Sequence, residues 1–411
     1  MAEYYDELET RDADARERAL MEALPGQVAR AREKAPAYAK LYAEVDPAAV
    51  TSRAALAGLP VLRKAELGRL QAATPPFGGL TATPMGQLAR VFLSPGPIAD
   101  PQGHGPDWWR MGRALFAAGF RAGDLVHNCF SYHFTPAGAM VDSAAQALGC
   151  IVFPGGVGQT ELQVEAMAHF RPDGYVGTPD FLKILLDKAA ETGADIGSLR
   201  KALVSGGALP PSLRQEIAGG GVSVLQCYGT ADLGLVAYES EAQEGMILDE
   251  HVIVEIVRPG TGDPVPDGEA GEVVVTTLNP DYPLIRFATG DLSAILPGLS
   301  PCGRTAPRIK GWMGRADQTT KVRGMFVRPE QVAEVLRRHP EVDRGRLTVS
   351  SRENRDVLTL RCEVKGGGEA LAQAIAASLQ SICKVRGEVD LVAQGSLPND
   401  GKVIEDQRSY E

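Results

Sequence analysis

The chain has 411 residues and a formal net charge of −10 at pH 7. Its length favours two or more domains, and its 44% hydrophobic and 23% charged residues are typical of a globular protein. The acidic balance excludes a surface that coats nucleic acid, the apolar runs are too short to span a bilayer, and the acidic start lacks a signal-peptide pattern. Because its six cysteines are scattered without a CxxC pair, we expect a cytoplasmic protein that contacts neither membranes nor nucleic acid.

Helical spacing with many Ala, Glu and Arg predicts helices over residues 4–46. From about residue 88 to 230, short β-branched runs alternate with helix-like stretches, one of them from about Pro136 to Leu148. This alternation predicts a mostly parallel sheet covered on both faces. Because ligands of such sheets lie at the carboxyl ends of the strands, we expect the functional site there.

The pattern changes after residue 246. The segment 251–278 contains two apolar runs joined by a Pro/Gly/Asp-rich turn, which predicts a hairpin in a β-subdomain over about 246–312. Beyond it we predict helices over about 329–338 and 369–383, and strands over about 346–351, 357–364 and 387–392. The predicted fold class is α/β, with a large N-terminal domain over 1–316 and a small α+β C-terminal domain over 317–411.

Five separated stretches form an ordered series: SGGALP (205–210), YGTAD (228–232), RFATGDL (286–292), GRADQTTKVRGMFVRPEQVAEVL (314–336) and LPNDGK (397–402). This series resembles the signature motifs of adenylate-forming enzymes, and most closely those of the phenylacetate–CoA ligases and related acyl-CoA ligases. The resemblance covers roughly residues 85 to 405. It implies that the C-terminal domain is a mobile lid over the large domain.

The resemblance implies a nucleotide site on the first two motifs. Tyr228, with Gly229 and Thr230, matches the residues that stack on adenine, and Asp232 matches the acid that helps to hold Mg²⁺. The family usually has Thr or Ser and then Glu where this chain has Ala231 and Asp232, so one hydroxyl is lost and the acid is shorter.

The turn SGGALP matches one wall of the adenine pocket, formed by Ser205, Gly206, Gly207 and Ala208. Its glycines would let the backbone approach a flat ligand closely.

Three further positions match catalytic or nucleotide-binding residues of the family. Asp291 matches the aspartate that binds the ribose hydroxyls, and Arg315 matches the arginine near the ribose and α-phosphate. Lys402 matches the adenylation lysine, whose ammonium would stabilise negative charge on the α-phosphate after domain closure.

The same comparison implies a hinge and a thioester face. Asp317 matches the hinge position between the large and small domains. Lys321, Arg323 and Gly324 match the face that domain rotation would present to the pantetheine arm of CoA.

An acyl pocket is predicted from three stretches, residues 130–138, 153–161 and 176–182. The first stretch contributes Tyr132, His133 and Phe134, with His133 as a candidate to orient a carboxylate. The second contributes Gly155 and Gly156. We expect no zinc, because Cys302 stands alone where some relatives carry a Cys-x-Cys-Gly element.

The stretch SPGPIADPQG (94–103) occupies the place of the family's phosphate loop. Ser94 and Gly96 match that loop. Phosphate loops hold their ligand through backbone N–H groups, hydroxyls and a cation, whereas the prolines here have no N–H and Gln102 has no charge. We therefore predict a degenerate loop that holds the β- and γ-phosphates weakly.

The leading hypothesis is an acyl- or aryl-CoA ligase. It would activate a carboxylic acid with ATP and Mg²⁺ as an acyl-adenylate and then transfer the acyl group to CoA with release of AMP. The resemblance favours an aromatic or arylalkanoic acid and a homodimer. The degenerate loop leaves two alternatives: acyl-AMP or CoA-thioester chemistry without normal ATP activation, and a non-catalytic nucleotide- or thioester-binding protein.

Overall fold

The protein is described by a computed structural model that covers residues 3–316, 318, 320–322, 325–352 and 355–407; for residues 321, 325, 326, 351, 352 and 355 it describes the backbone alone. The α-helices are α1 (Ala13–Lys34), α2 (Pro36–Leu41), α3 (Arg53–Ala57), α4 (Leu67–Ala73), α5 (Gly112–Ala117), α6 (Ala137–Ala147), α7 (Thr160–Phe170), α8 (Pro179–Thr192), α9 (Pro211–Gly219), α10 (Pro329–Arg337) and α11 (Glu369–Cys383).

The strands are short, and most belong to a few sheets. They are β1 (Leu62–Arg63), β2 (Arg90–Ser94), β3 (Ile98–Gln102), β4 (Leu125–Asn128), β5 (Ile151–Phe153), β6 (Gly174–Gly177), β7 (Lys201–Val204), β8 (Ser223–Thr230), β9 (Gly234–Tyr238), β10 (Met246–Leu248), β11 (Val252–Val257), β12 (Gly271–Thr277), β13 (Phe287–Ser293), β14 (Ile295–Leu296), β15 (Arg308–Ile309), β16 (Thr320–Val322), β17 (Met325–Val327), β18 (Val342–Arg352), β19 (Arg355–Val364), β20 (Glu388–Val392) and β21 (Ile404–Asp406).

The chain contacts divide into two compact units. The first contains Met1–Val254, Val275–Phe287 and Leu296–Gly311, and the second contains Glu255–Val274, Ala288–Ile295 and Trp312–Glu411. Each unit has apolar cores of its own. The domain boundary that we expect at residue 317 stays a prediction.

The first unit is built on a sheet of nine strands in the order β14-β15-β10-β9-β8-β7-β6-β4-β5. Strands β5, β4, β6, β7 and β8 pair in parallel, and β9 pairs antiparallel with β8. The prediction of a mixed, mostly parallel α/β sheet is confirmed. Because β5 lies on the opposite side of β4 from β6, the carboxyl ends of β4 and β6 form a topological switch point, where open α/β sheets bind ligands.

Local sequence explains the helices that connect these strands. In α8, Pro179 occupies the first turn, where its missing N–H has no intrahelical partner, and Gly193 ends the helix at φ 71°. One helical face is apolar, and Leu182 and Leu185 are buried in the core of the first unit. These features place α8 against the sheet between β6 and β7.

The second unit contains a four-stranded sheet in the order β20-β19-β18-β21. Strand β19 pairs antiparallel with β18 over most of their length, and β20 and β21 pair in parallel with β19 and β18. Helices α10 and α11 and this sheet share one apolar core, which includes Val335, Leu360 and Leu379. The structure adds β21, which the sequence pattern does not predict.

Candidate active site

A cavity of about 270 Å³ lies at the carboxyl edge of the parallel strands in the first unit. Its lining comes from the ends of β2, β7 and β8, from the segment after β4 and from α6. The lining residues are Ser94, Pro95, Met111, Phe130, Thr135, Pro136, Ala137, Met140, Val141, Ser205, Gly206, Gly229, Thr230 and Ala231. Most of these side chains are apolar, so the cavity suits an apolar group beside a small polar end.

Five residues predicted from separate motifs meet at this cavity: Ser94, Ser205, Gly206, Gly229 and Thr230. They are up to 136 positions apart in sequence (230 − 94 = 136), and the parallel sheet brings them to one edge. Other predicted nucleotide residues lie outside the lining. Tyr228 is buried within β8, whereas Gly96, Gly207 and Ala208 are exposed.

The turn between β8 and β9 carries Asp232. The Thr230 hydroxyl accepts a hydrogen bond from Leu233 N at 3.1 Å, which closes the turn. Gly234 has φ 72°, and a Cβ there would lie 2.5 Å from the Trp109 carbonyl oxygen. The turn therefore needs glycine at residue 234 both for its backbone conformation and for its close approach to residue 109.

Asp232 is buried in an ionic cluster with Lys64 and Asp100. Lys64 Nζ lies 2.5 Å from Asp232 Oδ2, and the Asp232 side chain is 1% exposed. Burial and the neighbouring Asp232 carboxylate raise the pKa of Asp100 above its ordinary value. Apart from a protonated Asp100, no group among the described residues donates a hydrogen bond to Asp232 Oδ1.

The segment that replaces the family's phosphate loop is a hairpin. Strands β2 and β3 pair antiparallel from Arg90↔Gln102 to Ser94↔Ile98, and the Ser94 hydroxyl donates to the Ile98 carbonyl at 3.3 Å. The turn consists of residues 95–97, two of which are prolines without N–H groups. Gln102, which is uncharged where a phosphate loop would use a cation, is buried at 6% exposure.

The residues that we predict for the acyl pocket do not line this cavity. His133 and Phe134 are exposed, and the Tyr132 hydroxyl lies 2.8 Å from Asn128 Nδ2. Gly155 and Gly156 accept hydrogen bonds through their carbonyls from Gln163 Nε2. The residues next to the predicted ones, Phe130 and the start of α6, supply the lining instead.

In the second unit, Asp291 and Arg315 are paired. Arg315 Nη1 donates to Asp291 Oδ1 at 3.0 Å, and Trp312 Nε1 donates to the same oxygen at 3.1 Å. Gly290 precedes Asp291 at φ 77°, and an isolated β-bridge joins residues 291 and 315. Two residues of separate motifs thus form one polar site, which presents a carboxylate beside a guanidinium.

Lys402 lines a separate cavity of about 1250 Å³ within the second unit, together with Arg258, Arg344 and Arg346. Its backbone N–H donates to Asp400 Oδ1 at 3.1 Å. The predicted hinge residue Asp317 and the predicted thioester-face residues Arg323 and Gly324 lie outside the described residues. For Lys321 the backbone is described within β16 and the side chain is not.

No group of three or more His, Cys, Asp and Glu side chains within the described ranges is arranged to hold a metal ion. Cys302 is buried, and its sulfur lies 3.1 Å from the Ser300 hydroxyl and 3.6 Å from Arg304 Nη1. The expected absence of zinc stays an expectation. Likewise, none of the helices in the described part of the chain has the length and apolarity that a bilayer crossing requires.

Sequence patterns do not identify Lys64 or Asp100 as site residues. Lys64 is 168 positions from its partner Asp232 and belongs to no motif in the series. Asp100 lies within the degenerate loop, where its burial beside a second carboxylate depends on the β2–β3 register. The sequence offers one indication of Asp100: it is an acidic residue in a segment that is expected to bind phosphate.

Known proteins resemble both parts of the chain. A model of the AMP-binding enzymes matches residues 110–279, and a model of the AMP-binding enzyme C-terminal domain matches residues 324–408. A phenylacetate-coenzyme A ligase of Aromatoleum evansii is 32% identical over 362 residues, which cover 84% of this chain and 80% of the relative. A phenylacetate-coenzyme A ligase of Thermus thermophilus is 33% identical, with 82% and 79% covered.

Two solved structures of a 2-hydroxyisobutyryl-CoA ligase are similar to the whole chain. One, in the postadenylation state with 2-HIB-AMP, has a TM-score of 0.73 at 26% identity and covers 97% of this chain and 91% of its own. The other, with 2-HIB-AMP and CoA in the thioesterification state, has a TM-score of 0.72 at 26% identity and covers 98% and 92%.

Proposed function

This chain belongs to the AMP-binding enzymes, among the relatives of the phenylacetate–CoA ligases, and from that premise we propose that it is an ATP-dependent acid–CoA ligase. The carboxylate of the acid attacks the α-phosphate of ATP and releases pyrophosphate. The CoA thiol then attacks the carbonyl of the acyl-adenylate and releases AMP. Adenylation replaces a poor leaving group on the acid with a good one.

The observation that carries the proposal is the convergence of Ser94, Ser205, Gly206, Gly229 and Thr230 on one cavity. Hydroxyl groups and glycine backbone from three motifs lie beside an apolar compartment. This combination suits a carboxylic acid substrate. Its carboxylate would lie beside a phosphate at the polar end of the cavity, and its apolar group would be buried at the other end.

The second unit would supply the nucleoside contacts and the adenylation lysine. Asp291, oriented by Arg315 and Trp312, would accept hydrogen bonds from the ribose hydroxyls. Lys402 would stabilise the charge that develops on the α-phosphate. In the same proposal, Asp317 is the hinge. Lys321, Arg323 and Gly324 form the face that admits CoA.

Asp232 fits the role of the magnesium ligand. Among the described residues, only Asp100, when protonated, could donate a hydrogen bond to Asp232 Oδ1. This oxygen is therefore available to a hard cation, which prefers carboxylate oxygens. When bound, Mg²⁺ neutralises charge on the departing pyrophosphate. Lys64, ion-paired to the other oxygen, fixes the orientation of the Asp232 side chain.

The substrate class that best fits the cavity is a compact aromatic or arylalkanoic acid. Phe130, Met111 and Met140 offer ring and thioether surfaces, and sulfur–aromatic contacts favour a ring between them. The curated relatives named phenylacetate-coenzyme A ligase support the same class. We further propose a cytoplasmic enzyme that assembles as a homodimer.

Product analysis tests the ligase activity. The purified protein is incubated with ATP, Mg²⁺, CoA and one acid at a time: phenylacetate, benzoate, 2-hydroxyisobutyrate or cyclohexylacetate. We expect acyl-CoA and AMP in equal amounts, with phenylacetate or benzoate preferred. Absence of any thioester with all four acids, or formation of ADP in place of AMP, contradicts the proposal.

A variant of the cavity tests where the acid binds. Met140 is 7% exposed and lines the cavity, so Met140→Trp fills space that the ring would occupy. We expect kcat/KM for the aromatic acid to fall about 10- to 100-fold, whereas AMP binding measured by calorimetry stays within about twofold. Met85→Trp, at an exposed position of the same unit, is the matched control.

A further inference from the structure

The loop that carries Lys402 is held by side chains from elsewhere in the second unit. It spans residues 397–402, between β20 and β21, and Gly401 adopts φ 70°, a left-handed conformation that favours glycine. Strand β21 follows directly and pairs in parallel with β18, Leu347 with Ile404. The sheet therefore fixes the backbone on the C-terminal side of Lys402. The position of the lysine also depends on the contacts that hold the loop on its N-terminal side.

Arg346 holds the N-terminal side of the loop. It lies on β18 with its side chain 4% exposed, and its Nη2 donates to the Pro398 carbonyl at 3.2 Å and contacts Asp400 Oδ1. Its Nη1 donates to Glu405 Oε2 at 3.3 Å. One guanidinium thus bridges the start of the loop, its middle and the strand that follows it, a geometry that the planar fork of arginine permits and lysine does not.

Asp400 connects Arg346 to the backbone of Lys402. Asp400 Oδ1, which contacts Arg346, also accepts the backbone N–H of Lys402 at 3.1 Å. Charge-assisted hydrogen bonds of this kind are roughly twice as strong as neutral ones. The order of contacts is therefore guanidinium, carboxylate, and then the amide of the lysine itself.

Gln318 makes three further hydrogen bonds to the backbone around Lys402. Its Oε1 accepts the N–H groups of Val403 at 2.6 Å and Ile404 at 2.7 Å, and its Nε2 donates to the Gly401 carbonyl at 3.3 Å. These three bonds flank Lys402 on both sides. Gln318 directly follows Asp317, the proposed hinge, so the same side chain joins the hinge segment to the lysine loop.

We propose that Arg346 and Gln318 are positioning residues that set the geometry of Lys402 for the adenylation step. This inference rests on the proposed role of Lys402. Since Lys402 would act when the acid attacks ATP and not when CoA attacks the acyl-adenylate, loss of either positioning residue impairs the first half-reaction selectively. A purely structural role would lower both half-reactions together.

The experiment measures the two half-reactions and the local dynamics separately. Adenylation is followed as carboxylate-dependent exchange of labelled pyrophosphate into ATP, and thioester formation is followed from synthetic acyl-adenylate and CoA. Variants are Arg346→Gln, Arg346→Lys, Gln318→Ala and Lys402→Ala. Arg338→Gln, at an exposed arginine that pairs with Glu334, is the control.

For Arg346→Gln and Gln318→Ala we expect exchange to fall about 10- to 100-fold, because small displacements of a catalytic group cost rates of that order. Arg346→Lys should recover part of the loss, and Lys402→Ala should lose at least as much as either. Thioester formation should stay within about twofold for all variants. Equal losses in both half-reactions, or unchanged exchange in both positioning variants, overturn the inference.

Amide hydrogen exchange tests the positioning role without any measurement of enzyme activity. In Arg346→Gln, exchange of the Lys402 amide should accelerate at least about tenfold, while α10 and α11 stay protected, because its acceptor Asp400 Oδ1 loses the guanidinium that anchors it. Unchanged exchange of the Lys402 amide contradicts the positioning role of Arg346. If the wild-type protein supports no pyrophosphate exchange with any acid, the proposed function fails, and the hydrogen-exchange result alone then decides the positioning role.

Discussion

The two aspartates that we propose for the ribose and for the magnesium ion, Asp291 and Asp232, have different surroundings. Asp291 accepts two N–H groups on Oδ1, from Arg315 and Trp312, and these bonds orient its carboxylate. Asp232 is buried against an ammonium and a second carboxyl group. Hydrogen bonds to N–H donors orient a carboxylate for hydroxyl ligands, whereas a buried carboxylate beside another suits a cation.

Substitution of Asp291 tests the ribose contact. Asp291→Asn keeps the size of the side chain but removes its charge, and hydrogen bonds to charged groups contribute about 1.5–3 kcal/mol. We expect the Kd for AMP, measured by calorimetry, to rise about 10- to 100-fold. Asp390→Asn, at an exposed position on β20, should leave the Kd within about twofold. An unchanged Kd in Asp291→Asn would remove this residue from the nucleotide site.

A buried acid near α5 gives a dependence of stability on pH. Burial raises the pKa of Asp107 from 3.8 to about 7, even though Gly112 N donates to its Oδ2 at 2.8 Å. Between these two values the folded protein holds a proton that the unfolded chain has lost, so the free energy of unfolding falls as pH rises through this window. The loss is complete above the folded pKa.

Asp107→Asn should remove this loss while it keeps the acceptor for Gly112 N. Urea unfolding at about pH 5 and about pH 8 measures the difference in free energy of unfolding between variant and wild type. We expect the variant to gain stability relative to the wild type when the pH is raised from about 5 to about 8. The same difference at both pH values would show that Asp107 titrates normally in the folded protein.

At the level of elements, the β8–β9 turn links the cavity to Asp232, the residue that we propose as the magnesium ligand. Thr230 lines the cavity, Asp232 lies in the turn, and Gly234 begins β9 against the Trp109 backbone. Asp232, Leu233 and all of β9 are buried, so the turn cannot shift without disturbing the core.

Gly234→Ala tests how strongly this turn is specified. The left-handed conformation and the close carbonyl oxygen together should lower the free energy of unfolding by at least about 2 kcal/mol. Gly86→Ala, where a Cβ meets no atom within 4 Å, is the control. Chemical denaturation of both variants measures the effect, and equal stability of the two would show that the turn tolerates a side chain.

Elements with regular periodicity were predictable from sequence, and contacts between distant segments were not. The predicted helices over about 136–148, 329–338 and 369–383 correspond to α6, α10 and α11 within one or two residues. Strand β21 has three residues and no alternation that marks it. The ion pair of Lys64 with Asp232 and the bond of Arg346 with Asp400 join residues 168 and 54 positions apart, and no local pattern encodes such pairs.

The whole molecule consists of two compact units with separate cores. The second unit buries Leu360 completely in a core formed by β18, β19, α10 and α11. Units with cores of their own commonly unfold in separate steps, so a single two-state transition is not expected for the intact chain.

Leu360→Ala tests this organisation. Removal of a fully buried leucine side chain costs about 2–5 kcal/mol, and the loss should lower the midpoint of one calorimetric transition while the other stays in place. Leu299→Ala, an exposed leucine of the first unit, should change neither. Equal shifts of all transitions in Leu360→Ala would show that the two cores unfold as one.

The acyl-adenylate is the central claim, and the fate of the carboxylate oxygens tests it most directly. An acid labelled with ¹⁸O in both carboxylate oxygens is converted in the presence of ATP and CoA, and the AMP produced is analysed by mass spectrometry. Attack of the carboxylate on the α-phosphate places one labelled oxygen in each AMP and leaves the other in the thioester. AMP that carries no label, with thioester formed, would contradict the mechanism.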